Sequence, residues 1–150
     1  GIGIGKGEGR ALEAAKAAIN SPLLDRIDLV LHLPPVSIGD TKQISSYPFS
    51  EVSARVQVAH ALQMKRFGLS SHYNSRMSIE EIQHFCILSP TLESFMHKAY
   101  EHYNLTLRSY HKVLRVSRTL ADLDGSEEIK QAHLLEALQY RLSSQFTNGI

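Results

Sequence analysis

LTLRSYHKVLRVSRTLADLDGSEEIKQAHLLEALQYR, residues 105–141, decides how the rest of the chain is read. Thr106 stands where an N-cap belongs, since its hydroxyl can accept from a backbone N–H one turn into a helix. From there Tyr110, Val113, Leu114, Ser117, Leu120 and Ala121 recur at helical spacing, and the line carries through to Leu123. Asp124-Gly125 breaks it, because glycine reaches the left-handed conformation that closes helices. Ser126 begins the approach to a last helix that should end near Leu142. The stretch therefore predicts two helices joined by a tight turn.

Toward the N-terminus the same signals repeat. Ser89-Pro90 opens a helix to about Tyr103, with Leu92, Phe95, Met96, Ala99 and Tyr103 on its inner stripe. Ser78-Ile79-Glu80-Glu81 is a capping box that starts a short helix to about Phe85. Glu51 to Phe67 forms another, with Val52, Val56, Ala59 and Gln63 along one line and Gly68 as its C-cap. Residues 36–50, rich in Ser, Gly and Pro, read as a surface loop. Before it, RIDLVLHL (26–33) alternates Ile27, Leu29, Leu31 and Leu33 with Asp28, Val30 and His32, the pattern of a strand. Pro34-Pro35 stops it. ALEAAKAAIN (11–20) is a run of helix formers ended by Ser21-Pro22. The expected class is mainly α: a helical bundle with one N-terminal helix and a short β-strand.

Bulk properties narrow the function classes. At 150 residues, 43% hydrophobic and 21% charged, the chain can bury a real core. Sixteen basic and fifteen acidic residues leave a net charge of +1, so attraction to nucleic acid must come from a local patch. No apolar run approaches the ~20 residues that cross a bilayer. Cys86 is the single cysteine, which rules out an internal disulfide and fits a reducing compartment. No signal peptide is visible, and a cytoplasmic location is expected.

GIGIGKGEGR (1–10) poses the one question about a nucleotide loop. A phosphate loop needs a glycine five residues before its Gly-Lys pair and Ser or Thr after it; here Gly7 follows Lys6. The dinucleotide pattern fails as well, since each trial frame puts its third glycine on Lys6, Glu8 or Arg10. A turn before a helix is the plainer reading. GIGIGKGEGRALEAAKAAINSPLL (1–24) resembles a strand and helix of the second domain of the tubulin-like bacterial division proteins (FtsZ), away from their GTP loop.

The remaining chain resembles another family. LLDRIDL (23–29), SARVQVAHALQMKRF (53–67), YNSRMSIEEI (73–82) and residues 105–141 are similar, in that order, to the C-terminal part of magnesium chelatase-like AAA+ ATPases of the ComM/YifB competence branch. That resemblance covers roughly residues 21–142 and implies the end of an ATPase core followed by a helical lid; with the segment before it, the chain reads as three parts. These are the FtsZ-like segment 1–24, a terminal strand of an ATPase core with its loop (25–50), and a helical lid (51–150). The switch within INSPLLD (19–25) suggests a fused, recombined or truncated chain. The resemblance also calls for a phosphate loop and an acidic metal-holding strand upstream of residue 21. Neither is present, so the chain is not expected to hydrolyse ATP alone. ATP and Mg²⁺ would be cofactors only with a complete ATPase, whose core or neighbouring subunits are the implied partners.

On that resemblance Arg26 matches an arginine finger acting in trans on a neighbour's γ-phosphate, and Arg108 matches the sensor-2 arginine acting in cis. Arginine suits both because its planar fork donates two parallel hydrogen bonds and stays charged. Either could instead be an ordinary surface arginine, with Asp25 or Asp28 as partner. Arg108, Lys112, Arg115 and Arg118 also form a basic stripe, with His111 nearby, that could contact phosphate or DNA. Branch-migrating relatives act on DNA. An alternative function is thus a non-catalytic helical module that binds a protein partner or DNA through 108–118. The eight histidines lack ligand spacing, and a metal site is not expected. Cys86 has no neighbouring base and reads as a buried structural thiol; Tyr100 and Tyr103 read as core residues.

Overall fold

The computed structural model describes residues 28–31, 49–68 and 72–142. They hold five helices: α1 (Phe49–Phe67), α2 (Ile79–Phe85), α3 (Pro90–His102), α4 (Leu107–Leu123) and α5 (Gln131–Leu142), with a 3-10 turn at Asn74–Arg76. Helix α4 is the axis: α5, α1, the 3-10 turn and α2 all pack on it. Met77, Ile82, Cys86, Met96, Val113, Ala121, Leu134 and Leu138 belong to one continuous core. Tyr100 and Tyr103 pack against its edge.

Short-range chemistry sets the boundaries. The Ser78 hydroxyl accepts from the Glu81 N–H at 3.2 Å while the Glu81 carboxylate accepts from the Ser78 N–H at 2.7 Å, a complete capping box. Hydrogen bonding to that backbone N–H dominates the Glu81 carboxyl, whose pKa falls below the ordinary value despite some desolvation. Ser89 caps α3 with Pro90 in its first turn, and Thr106 caps α4. Helix α4 ends in a Schellman motif: Ser126 N–H donates to Ala121 O at 2.8 Å and Gly125 N–H to Asp122 O at 3.1 Å, with Gly125 at φ 62°. Helix α3 ends the same way through Asn104 at φ 47°, with Leu105 N–H donating to Tyr100 O at 3.0 Å. Asparagine tolerates the left-handed region better than most residues.

Two expectations need correction. Residues 28–31 form no strand; Leu29 and Leu31 are exposed, and Val30 N–H donates to Tyr140 O, at the end of α5, at 3.0 Å. A strand needs a neighbour for its ladder, and among the described residues none lies beside it. In α1, only Ala59 and Gln63 of the expected inner line are buried, while Val52 and Val56 are exposed. The reason is length. Arg55 of α1 already reaches Leu123 O and Asp124, at the end of α4, so among the described residues the first turns of α1 extend past the helix they pack on. Helix α1 also begins at Phe49, two residues inside the expected loop. The FtsZ-like segment 1–24, its predicted helix and Arg26 lie outside the described residues.

Candidate functional site

The candidate site starts at the first turn of α4. Thr106 Oγ1 accepts from Ser109 N–H at 3.2 Å, which fixes the entry of the helix. Leu107 and Arg108 follow with no acidic residue in that turn. No carboxylate within that turn offsets the positive end of the helix dipole, and Arg108 adds a full charge beside it. Arg108 is exposed and makes no hydrogen bond or ion pair among the described residues.

The other three basic residues of the expected stripe do not share that freedom. Lys112 is buried, its Nζ 3.0 Å from Asp28 Oδ1. Arg115 is half-buried and donates to the Met77 carbonyl, and its Nε has no hydrogen-bond partner among the described residues. Arg118 is buried and engaged through all three nitrogens: Nη1 donates to Glu127 O at 2.8 Å, Nη2 to Ser126 O at 2.6 Å and Nε to Asp122 Oδ1 at 3.2 Å. Burial lowers its pKa, and the Asp122 charge works against that. Burial, then the Arg115 charge, also lowers the pKa of His111. Of these four cations Arg108 alone is exposed. Helical spacing placed the four on neighbouring faces, but it says nothing about which face meets the core.

A second polar group escaped the sequence reading. Asp122 is fully buried and accepts from Arg66 twice (2.7 and 2.6 Å), from Asn74 Nδ2 (2.8 Å) and from Arg118. Asn74 N–H donates in turn to Gln63 Oε1 at 3.0 Å, which accounts for the buried glutamine of α1. The four-residue spacing of Arg118 and Asp122 was the available signal. Next to it, buried His133 accepts from the Lys130 N–H through Nδ1 at 3.0 Å, so its ring proton sits on Nε2, 3.2 Å from Asp124. Desolvation opposes the Asp124 charge, but the bonds from His133 and Arg55 prevail and lower its pKa. Cys86 is buried, and burial pushes its thiol up to about 11. Among the described residues no cluster of three or more His, Cys, Asp or Glu comes together, and no helix is long and apolar enough to cross a membrane.

Between segment 28–31 and α4 lies a groove of about 410 Å³, lined in part by Leu29, Leu31, Lys112, Arg115, Leu120 and Tyr140. Residues 47–141 match the family described as magnesium chelatase, subunit ChlI C-terminal, and the chain belongs to it. Among curated proteins it is 35% identical over 125 residues to the competence protein ComM of Haemophilus influenzae. It is 34% identical over 125 residues to the protein YifB of Salmonella typhimurium and, equally, to that of Escherichia coli. Each alignment covers 82% of this chain but 24% of the relative, so the chain spans about a quarter of the length of the proteins it matches.

Proposed function

We propose that this chain acts as the C-terminal lid of a magnesium chelatase-like ATPase, in which Arg108 reads the γ-phosphate in cis and Arg26 serves a neighbouring subunit in trans. The observation that carries the reading is the contrast along α4: Lys112, Arg115 and Arg118 are committed to protein groups, whereas Arg108, at the positive end of the helix, is exposed and has no partner among the described residues. A guanidinium so placed gains a phosphate without giving up an existing bond. Because the helix is central and packs most extensively on α5, a pull on its first turn would be felt by α5 as well. ATP and Mg²⁺ belong to the complete ATPase, and residues of its core would hold them. In that setting the chain's own contribution is to bind phosphate oxygen, offset developing charge and transmit the contact to the lid.

The test is a complementation assay in which this chain replaces the C-terminal domain of a ComM-like ATPase. Arg108→Ala should lower ATP hydrolysis at least tenfold, and Arg108→Lys should restore it only in part, because lysine lacks the bidentate fork. Hydrolysis unchanged by Arg108→Ala would refute the assignment.

A further inference from the structure

Lys112 carries its ammonium where water is a poor substitute for a carboxylate: the side chain is 6% exposed, and Nζ lies 3.0 Å from Asp28 Oδ1. Asp28 is itself half in solvent and belongs to segment 28–31, outside the helical core. Two residues on, Val30 N–H donates to Tyr140 O at 3.0 Å. The two ties hold the segment to different helices, α4 through Lys112 and α5 through Tyr140. Burial adds little, since Leu29 and Leu31 keep most of their apolar surface in water. Among the described residues, polar ties rather than packing hold this segment.

Lys112 stands one helical turn after Arg108 on α4. Asp28 follows Arg26 by two residues, a span of at most about 7 Å of chain. We infer that the Lys112–Asp28 pair is a coupling tether, which makes the placement of the segment after Arg26 depend on the orientation of the helix that carries Arg108. This rests on the phosphate-reading role proposed above. Lys112 and Asp28 are positioning residues here: neither touches nucleotide. A shift of α4 on phosphate contact would drag Asp28 with it, and so re-aim what the subunit offers its neighbour.

The tether is tested first without any nucleotide. Spin labels at Leu31→Cys and Leu135→Cys, both exposed, report the distance between the segment and α5, while buried Cys86 stays unlabelled. The parent chain should give one narrow distribution. Asp28→Asn and Lys112→Met should each broaden it, the double variant should broaden it no further, and the exchange Asp28→Lys with Lys112→Asp should narrow it again. Asp28→Asn, at a partly exposed site, spares the core even if Lys112→Met perturbs folding. An unchanged distribution in Asp28→Asn overturns the tether.

In the complementation assay the same single variants should lower kcat about tenfold with KM for ATP unchanged. The exchange should recover kcat, which a merely structural lesion would not do. A broadened distance with unchanged kcat, in an assay where Arg108→Ala is inactive, overturns the coupling. If Arg108→Ala is itself silent while the label distances respond as stated, the phosphate reading falls and the tether stands.

Discussion

Removing the Asp122 carboxylate should be the most damaging single change to the lid. In Asp122→Ala, Arg66 and Arg118, with side chains 13% and 5% exposed, lose the anion that neutralises both. Four hydrogen bonds go with it: two from Arg66, one from Arg118 and one from Asn74. Hydrogen bonds to charged groups are worth about 1.5–3 kcal/mol each, but Arg118 keeps Glu127 O and Ser126 O, so the terms do not simply add. Breaking a buried pair from one side costs about 3–5 kcal/mol, and the upper half of that range is expected because two cations are stranded. For a domain of this size the loss lowers Tm by roughly 15–30 °C. Urea and thermal unfolding followed by circular dichroism would measure it. Arg55→Ala is the control, since the Arg55–Asp124 pair at 2.5 Å is about half exposed on both sides and should contribute less than ~1 kcal/mol. If Asp122→Ala costs no more than Arg55→Ala, the reasoning about the buried network is wrong.

Further outcomes follow from the same geometry. Cys86 should resist thiol reagents at pH 8 in the folded chain and react at once in denaturant. Its folded pKa, about 11, exceeds the ordinary 9.0, so the protonated thiol favours the folded state. That contribution is fully present below pH 9 and lost as the pH rises toward 11; Cys86→Ala should flatten this part of the stability–pH curve. Gly125→Ala should cost about 1 kcal/mol in urea unfolding, because φ 62° strains any side chain even though open space surrounds the position. Ser78→Ala should cost about 1 kcal/mol by loss of the α2 cap.

The helical ends were readable because their causes lie within four residues. Ser78 with Glu81, Ser89 with Pro90, Thr106 with Ser109 and Gly125 after Asp124 are local signals, and each governs an observed boundary. Asn104 carried the same kind of information but is a weaker signal than glycine. The side of α4 that faces inward was not readable from its charges. Lys112 and Arg118 look like solvated positions in one dimension; Lys112 meets Asp28 from far along the chain, and Arg118 meets Asp122 one turn on and the carbonyls of 126–127 only because the chain turns back after α4. The overhang of α1 depends on where α4 stops, which no periodicity within α1 encodes. The alternation in 26–33 describes a segment ready to pair, and pairing depends on a neighbouring strand. The proposed role of Arg108 drew on family resemblance. Its exposure, and the commitment of the other three cations, became evident only in three dimensions.

The central claim is that Arg108 and Arg26 serve the same phosphate from two different subunits. Subunits carrying Arg26→Ala and subunits carrying Arg108→Ala, each in the ComM-like hybrid, should be inactive alone. Mixed in equal amounts, they should regain roughly a quarter of the hydrolysis rate, because a quarter of the interfaces then pair an intact Arg108 with an intact neighbouring Arg26. Mixed rings that stay as inactive as their parents would contradict the account.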